Sequence, residues 1–396
     1  MNSFSTVSMT IQNPNWDLST SRIHPEKKHF DIVNPFVSDL DAITSSTAFK
    51  RLNGKTQVFA LSNNSHTTSR KEHSLEVSST STAICSYLGL NPILAQAGSY
   101  AHDLGHTPFG HKGEEIINEL VKKNISCDDF FKHAHHGLYL VDNLELVTSY
   151  SGIRTNLNLT YATRDCIIGH SGRFPKDGLK PRVEPIDLID FNNHSPFTWE
   201  GCVVKIADDI SYLGTDLHDA VRLGYDISYA YDLCKTIDLN IDNTRISEYL
   251  IHDLCENSSI EHGLNFSQKS SDFINKLKQA NYKYIYKSER NMHCNGYFEL
   301  VLTSLFSLLS SFYDGDSTIK KITSLADVYP NLVKSFLGYL PKYFDIPSRT
   351  DYIFKNSALF DIDKREDFYK CIICFIAGLT DLKALEFYNE TIGNKL

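Results

Sequence analysis

Apolar residues recur at helical spacing over most of the chain. In the clearest stretch, 203–223, one continuous apolar stripe is formed by Val203, Ile206, Ala207, Ile210, Leu213, Leu217 and Val221. Similar spacing predicts helices over 74–88 (ending at Gly89), 91–98 (with Pro92 in its first turn), 114–122, 136–147 and 298–313. No strand-like alternation of any length, internal repeat or strand–helix–strand rhythm is present. The pattern predicts an all-α protein with at most a short β-hairpin.

Two segments lack a clean period. Residues 1–35 are predicted to be an arm or a loosely packed lead-in. Residues 171–199 contain Pro175, Pro181, Pro185 and Pro196, which is typical of a long loop or flap. A proline-rich loop just before the best helix is well placed to close over a ligand.

Composition narrows the class of protein. The apolar content of 41% and charged content of 22% are typical of a globular chain, and the formal net charge of −9 disfavours a general binder of nucleic acid or of membrane surfaces. The apolar helix at 298–313 is too short and too striped with Ser and Thr to span a membrane. The first twenty residues are polar, so no secretory signal is recognised.

The nine cysteines are scattered and odd in number, which favours reduced thiols and a cytoplasmic location. The one close pair, Cys371 and Cys374, lies in an apolar stretch predicted to be helical. A redox or zinc site would need a second pair or a strand–helix–strand setting, and neither is found. Both thiols are therefore interpreted as structural.

The densest group of chemically active residues is the segment 101–114, AHDLGHTPFGHKGE. It holds His102, Asp103, His106, His111 and Glu114, on a backbone stiffened by glycine and proline. Histidine and carboxylate together suit a divalent ion of intermediate hardness, such as Mn, Fe, Co, Ni, Zn or Mg. Since adjacent His102 and Asp103 cannot complete a coordination sphere, further ligands must come from elsewhere in the chain.

Candidates for the further metal ligands lie on both sides of this segment. Upstream, His73 in SRKEHSLEV stands at a predicted helix start, and downstream Asp208 lies on the best-predicted helix. Asp208, Tyr212 and Asp216 are spaced by four, so they share one stripe on the side away from the apolar residues. For Asp216, a solvated helix face remains an alternative interpretation.

These motifs together resemble a known family. HSLEV (73–77), AHDLGHTPFGHKGEE (101–115) and KIADDISYLGTDLHD (205–219), with TAFKRLNGKTQVF (47–59) before them, are similar to the HD-domain deoxynucleoside triphosphate triphosphohydrolases, in particular the bacterial dGTPase-like group. LKQANYKYIY (277–286) is a fainter match. The resemblance implies a helical HD fold, with an HD core at 36–225 and a helical region at 226–396 that packs on it and completes the nucleotide pocket.

The resemblance also implies roles for individual residues. One divalent metal ion would be bound by His73, His102, Asp103 and Asp208. His111, Glu114 and His133 would form the catalytic group, with His106 on phosphate. The substrate contacts it implies are Gln57 and Val58 to base and sugar, Arg70 and Tyr212 at the phosphates, and Asp216 and Tyr286 at the 3′ side of the sugar.

The implied reaction is hydrolysis of a deoxynucleoside triphosphate, with dGTP favoured, to deoxynucleoside and tripolyphosphate. The resemblance further implies a homo-oligomer and leaves room for a nucleotide activator, whereas nothing in the sequence supports binding of single-stranded nucleic acid. Two departures from the family's sequence pattern affect residues expected to position the site. Lys132 and Ala134 flank His133 where the family has glutamate and asparagine, and Thr68 stands where the family has a cation.

Two alternatives stay open. One is another HD phosphohydrolase, acting on nucleoside monophosphates or a signalling nucleotide. The other is an HD module that senses nucleotides without catalysis. Base preference, metal identity and oligomer size are not encoded in any pattern we recognise.

Overall fold

The computed structural model describes residues 3–25, 28–60, 67–125, 131–148, 152–172, 178–190, 195–237, 239 and 243–393. Most of these residues are helical, which confirms the predicted fold class. The α-helices are α1 Trp16–Ser19, α2 Pro35–Ser45, α3 Thr47–Arg51, α4 Arg70–Leu88, α5 Pro92–Ala101, α6 Gly110–Asn124, α7 His133–Tyr139, α8 Tyr161–Gly169, α9 Trp199–Arg222, α10 Ser228–Lys235, α11 Asn243–Asn257, α12 Gln268–Asn281, α13 Glu289–Met292, α14 Asn295–Ser311, α15 Thr318–Ser324, α16 Pro330–Tyr339, α17 Arg365–Ala377 and α18 Asp381–Thr391. Strands β1 Leu146–Thr148 and β2 Arg154–Asn156 form an antiparallel pair with Val147 opposite Thr155.

The chain forms two compact units, each assembled from segments that are distant in sequence. Unit 1 comprises Met1–Thr44, Gln57–Leu104 and Asn158–His293, and unit 2 comprises Ser45–Thr56, Gly105–Leu157 and Cys294–Leu396. The boundaries expected from the sequence, at 35/36 and 225/226, stay a prediction.

Helices α4, α5, α8 and α9 pack together in unit 1. The apolar stripe of α9 is buried from Val203 to Leu217, whereas Val221 at its end is 47% exposed and lies outside the core. Helix α4 ends at Gly89, as predicted, because this residue adopts a left-handed conformation with φ of 80° that a glycine accepts without strain. These helices carry the residues predicted to bind metal.

Part of the N-terminal segment packs into unit 1. Phe4 and Met9 are only 1% and 3% exposed. The buried carboxylate of Glu200 accepts hydrogen bonds from the backbone N–H of Met9 and of Asn91, at 2.8 and 2.9 Å. The single-sequence pattern missed this because the apolar residues of 1–35 follow no regular period.

In unit 2, α14 packs against α6, α17 and α18. Phe298, Val301, Leu302, Leu305 and Leu309 of α14 are buried, which confirms it as a core helix. In the part of the chain that the structure describes, no helix is both long and apolar enough to cross a bilayer. On α17, burial raises the pKa of the Cys371 thiol and that of Cys374, the latter to about 12, as expected of structural thiols.

Two predicted segments need revision. The helix expected over 136–147 ends earlier: α7 stops at Tyr139, one π-helical turn covers Leu140–Leu144, and Val147 lies in β1. Within 171–199, the described residues hold a 3₁₀ turn, Leu188–Asp190, and the first residue of α9. Residues 173–177 and 191–194 of that predicted loop lie outside the described residues.

Candidate metal centre and catalytic group

His102 occupies the C-terminal cap of α5 in unit 1. The side chain of Asn91 caps the start of this helix and Pro92 follows in its first turn. The imidazole is fully buried, and its Nδ1 lies 2.7 Å from the Ser99 carbonyl oxygen. That contact makes Nδ1 the protonated nitrogen, so the lone pair of Nε2 points away from α5.

His73 lies near the start of α4. A capping box, in which Ser69 and Glu72 exchange side-chain to backbone hydrogen bonds, sets the beginning of this helix. His73 is 1% exposed, and its Nε2 lies 2.8 Å from Oδ1 of Asp208 on α9. The two residues are 135 positions apart in sequence, so only tertiary packing brings them together.

The remaining predicted ligands surround His102. Its Nε2 lies 3.5 Å from Oδ1 of Asp103 and 3.8 Å from Oδ1 of Asp208. The other carboxylate oxygen of Asp103, Oδ2, accepts a hydrogen bond of 2.8 Å from Arg70, which is itself 2% exposed. Arg70 therefore holds Asp103 in place, in addition to any part it takes in phosphate binding.

The distances between these side-chain atoms fit binding of one shared metal ion. Two ligand atoms bonded to one ion at about 2.1 Å stand roughly 3 to 4 Å apart, which is the spacing found around His102. His102 Nε2 is buried and has no hydrogen-bond partner among the described residues. A buried nitrogen lone pair facing two carboxylates is what a divalent cation would satisfy. The residues present therefore fit the metal, and all four predicted ligands belong to this one cluster.

Electrostatics agree with this arrangement. Burial alone would raise the pKa of Asp208, but the hydrogen bond from His73 and the proximity of His102, His73 and His170 hold it well below its usual range. For His73, burial alone would lower the pKa, but the hydrogen bond to Asp208 together with the negative charges of Asp208 and Asp103 raises it above its usual value. The cluster thus stabilises the anionic form of the partly buried Asp208 carboxyl, and a carboxylate must be ionised to bind a metal.

His170 was not predicted and lies beside the cluster. It caps the C-terminal end of α8, and its Nδ1 contacts the Ile167 carbonyl at 2.7 Å, in the same manner as His102 with Ser99. Its ring centroid is 5.0 Å from that of His102. Its position directly after a helix, like that of His102, is the sequence feature that could have predicted it.

The stripe of α9 that carries Asp208 does not face solvent. Asp216 is 3% exposed, and Tyr286 donates a short hydrogen bond to its Oδ2. Tyr212 is half-buried, with the Lys278 ammonium 5.5 Å from its ring centroid. The alternative of a solvated face for Asp216 is therefore wrong, and Asp216 and Tyr286, predicted to act together, are in contact.

Asp216 gives a prediction about stability. Burial raises the pKa of Asp216 to about 7 from its ordinary value of 3.8. An acid whose pKa is raised on folding favours the native state only while protonated, so stability falls as pH rises from about 4 to 7. In metal-free protein, Asp216→Asn should abolish this loss. Its stability relative to wild type should grow by roughly 2–3 kcal/mol between pH 5 and pH 8, measured by urea unfolding in EDTA.

Thr215→Ser is a matched control at the next position, because it leaves the Asp216 carboxyl intact and keeps the hydroxyl that binds Glu76. Its stability difference from wild type should not change over the same pH range. Equal pH dependence of wild type and Asp216→Asn would show that Asp216 is ionised in the native protein at pH 5.

The second group of predicted residues lies in unit 2 and depends on two glycines. A Cβ added at Gly105 would stand 2.1 Å from the His133 carbonyl oxygen, and one at Gly113 would stand 1.8 Å from that of Pro108. Both positions therefore exclude any side chain. Phe109 and Gly110 adopt left-handed conformations, with φ of 63° and 60°, as the chain turns into α6. This packing brings the His106 segment against the start of α7.

His106, His111, Glu114 and His133 form one cluster. Glu114 Oε1 accepts the backbone N–H of His133 at 3.1 Å, and its Oε2 lies 2.9 Å from His133 Nδ1. The His133 ring stacks on His106 with centroids 3.9 Å apart. His111 is 76% exposed, with Nδ1 3.7 Å from Glu114 Oε2. Glu114 thus supplies the support for His133 that the departures at Lys132 and Ala134 placed in doubt.

This cluster is suited to proton transfer. Burial alone would raise the pKa of Glu114, but its interactions with His111 and His133, and the nearby charges of His133 and His106, bring it far below its ordinary range. A carboxylate that stays ionised fixes Nδ1 of His133 as the donor nitrogen, which leaves Nε2 to accept or release a proton.

Lys55 and Asp381 support the cluster and were not predicted. Lys55 is 3% exposed, and its ammonium donates to the carbonyls of His106 and Ala377. The Asp381 carboxylate accepts the backbone N–H of Thr56 and of Phe109, at 3.1 and 2.9 Å. The position of Lys55 within the TAFKRLNGKTQVF motif could have indicated its role. The sequence around Asp381 contains no motif that would have indicated one.

The remaining residues predicted to contact substrate are Gln57 and Val58. Gln57 binds the Thr68 carbonyl through its backbone, and its side-chain Oε1 is buried without a hydrogen-bond partner among the described residues. Val58 packs against the core of unit 1. His136, on α7, is 7% exposed, and burial lowers its pKa to about 3.

The chain is similar to a known protein family over the residues of the metal cluster. The HD domain model matches residues 70–213, which include His73, His102, Asp103 and Asp208. A deoxyguanosinetriphosphate triphosphohydrolase-like protein of Caldanaerobacter subterraneus is 30% identical over 307 residues, covering 77% of this chain and 80% of that protein. The chain belongs to this family. It is accordingly an HD-domain phosphohydrolase of the dGTPase-like group.

Other relatives of the same description agree. The protein of Leptospira interrogans is 28% identical and covers 93% of this chain and 92% of its own length. That of Wolinella succinogenes is 37% identical over 195 residues, about half of each chain. The solved HD domain of the L. monocytogenes phosphodiesterase PgpH, in complex with cyclic-di-AMP, matches 61% of this chain and 99% of its own at 14% identity. Its TM-score of 0.25 carries no weight.

Proposed function

We propose that the chain hydrolyses deoxynucleoside triphosphates, dGTP foremost, to deoxynucleoside and tripolyphosphate. One observation supports this proposal most directly: His102 Nε2 is buried without a hydrogen-bond partner among the described residues and faces the carboxylates of Asp103 and Asp208. This intact metal-type cluster belongs to a chain whose relatives are named after dGTP hydrolysis. A sensor module without catalysis would have no need to retain it together with the Glu114 and His133 pair.

Attack at the α-phosphorus needs negative charge neutralised on the phosphate oxygens and a proton for the departing 5′ oxygen. One divalent metal bound by His73, His102, Asp103 and Asp208 would supply the positive charge. We assign the proton to His133, since Glu114 holds its Nδ1 and leaves Nε2 to donate. His106, stacked on His133, and the exposed His111 are proposed to contact phosphate and to complete the group.

Arg70, fixed by Asp103, and Tyr212 are proposed to lie at the phosphates.

Recognition of the nucleoside is assigned to residues of unit 1. Asp216 and Tyr286, joined by a hydrogen bond, offer a paired acceptor and donor for the sugar 3′ hydroxyl. Gln57, with its buried Oε1 lacking a partner among the described residues, is proposed to contact the base, with Val58 against the sugar. We further propose a cytoplasmic homo-oligomer with an HD core at 36–225 and a C-terminal region that completes the pocket.

Product analysis tests the activity. Purified protein is incubated with each deoxynucleoside triphosphate and Mg²⁺ or Mn²⁺, and the products are separated by ion-exchange chromatography. We expect deoxynucleoside and tripolyphosphate in equal amounts, with dGTP consumed fastest and no turnover in EDTA.

Other products would overturn the proposal in distinct ways. Release of pyrophosphate or single phosphate would place the attack elsewhere. Turnover of nucleoside monophosphates or cyclic dinucleotides alone would indicate another branch of HD phosphohydrolases. Binding of deoxynucleotides without turnover under any metal would indicate a sensor.

A further inference from the structure

The catalytic cluster of unit 2 (His106, His111, Glu114 and His133) has the composition of a transition-metal site as well as that of a proton-transfer group. Each of the four residues offers one ligand atom, and these atoms all lie within 4.8 Å of one another. Three imidazoles with one carboxylate are ligands typical of zinc, whereas Mg²⁺ prefers oxygen ligands. The set of ligands therefore favours an ion such as Zn²⁺.

The Glu114 carboxylate is already positioned as one of these ligands. Its Oε1 accepts the backbone N–H of His133 at 3.1 Å, so its Oε2 is held facing Nδ1 of His133 at 2.9 Å and Nδ1 of His111 at 3.7 Å. Two ligands bonded to one tetrahedral zinc ion stand roughly 3.3 Å apart, and both distances lie close to that spacing. The pKa of Glu114 is far below its ordinary range, so the carboxylate is the anion that a metal requires.

The histidines of the cluster differ in exposure. His106 is 2% exposed, and its ring stacks on that of His133 with centroids 3.9 Å apart, so packing holds both rings in place. The His111 side chain is 76% exposed, and its ring centroid lies 5.4 Å from that of His106. An exposed side chain has room to change rotamer. His111 can therefore admit an ion from solvent and then turn inward to complete the set of ligands.

We propose that these four residues form a second metal site, which binds Zn²⁺, and that zinc bound there inhibits hydrolysis. Zinc on Glu114 Oε2 and His133 Nδ1 replaces the hydrogen bond between these atoms and so removes the pair from proton transfer. The inhibition rests on the proposed function, whereas the binding of zinc does not. Because His111 is exposed, the site is open on one side and binds zinc more weakly than a closed structural site, so dialysis empties it.

Metal titration of the full chain tests the site directly. His102→Ala serves as the background, because it disables the first metal cluster. Co²⁺ is expected to bind as one equivalent with the visible absorption bands of a tetrahedral ion, and Zn²⁺ should displace it, since zinc binds such ligands more tightly. Adding His111→Asn or Glu114→Gln should weaken binding at least about tenfold, because each removes a ligand and even the loss of a supporting residue costs about that much.

His252→Asn in the same background is the matched control, since His252 is an exposed histidine of α11 that belongs to neither cluster. It should bind Co²⁺ as the background does. Circular dichroism melting checks that each variant is folded. If the His102→Ala background is not, calorimetric titration with Zn²⁺ should count two equivalents in the wild type and one in His111→Asn. A wild type that binds only one equivalent, or unchanged affinity in both folded cluster variants, would overturn the proposal.

Turnover of dGTP in Mg²⁺ tests the inhibition. Zinc at the concentration that fills the second site should lower wild-type turnover at least about tenfold, since general acid–base catalysis contributes about 10²–10⁴-fold. His111→Asn, compared with its own rate without zinc, should resist inhibition at that concentration. Zinc that acts only at the first cluster would inhibit both enzymes alike, and that result would refute the inhibitory role. A wild type without any turnover would contradict the proposed function, and the titrations would still decide whether the site exists.

Discussion

His102→Ala is expected to lose the bound metal and the hydrolytic activity together. The variant removes a buried nitrogen that faces Asp103 and Asp208 at 3.5 and 3.8 Å, and a metal site that lacks one of its ligands loses most of its affinity. We expect metal content below about a tenth of an equivalent per chain, measured by inductively coupled plasma mass spectrometry after dialysis. Turnover of dGTP should fall to the level of the EDTA-treated wild type.

His252→Ala provides the control. His252 is 69% exposed on α11 and pairs only with Glu256 at 3.4 Å among the described residues, so its loss changes a histidine without touching the cluster. It should keep wild-type metal content and turnover. If His102→Ala retained a full equivalent of metal, the ligand assignment would be wrong, whatever its activity.

Glu114→Gln is expected to separate metal binding from catalysis. The variant keeps the size of the side chain but removes the charge that stabilises His133, whose Nδ1 lies 2.9 Å from Oε2. General acid–base catalysis contributes about 10²–10⁴-fold to rates, so kcat should fall within that range while metal content stays unchanged.

The neighbouring residue supplies the control. Glu115 is 64% exposed and pairs with Lys112 at 3.0 Å, so Glu115→Gln makes the same chemical change outside the cluster. Wild-type kcat is expected for it. A Glu114→Gln enzyme with kcat within twofold of wild type would remove Glu114 and His133 from the mechanism. The roles of His106 and His111 would then have to be tested in the same way.

The two expected results answer different questions. His102→Ala asks whether the chain holds a metal at all, whereas Glu114→Gln asks whether a chain that holds it is an active enzyme. Parallel loss of metal in both variants would show that the two groups are not chemically independent. If the metal neutralises charge while Glu114 and His133 transfer the proton, as proposed, metal binding must survive the loss of Glu114.

Local sequence pattern predicted the helices and two of the four proposed metal ligands. The stripe of α9, the cap at Gly89 and the start of α5 at Pro92 follow from neighbours within a few positions, and the structure confirms them. His102 and Asp103 were evident because ligand-type residues are concentrated there. The helix expected over 136–147 was wrong at its end, because pairing of Val147 with Thr155 overrides a weak local preference.

By itself, then, the sequence determined the helical class, the helices that carry the site and the identity of its chemical groups, because these depend on spacing within a few turns. Family resemblance added His73 and Asp208. Only the tertiary structure decided that Glu114 binds His133 across 19 positions and that Asp216 is buried against Tyr286 across 70. Contacts between distant segments depend on how whole helices pack, and the spacing of apolar residues within one helix does not determine that packing.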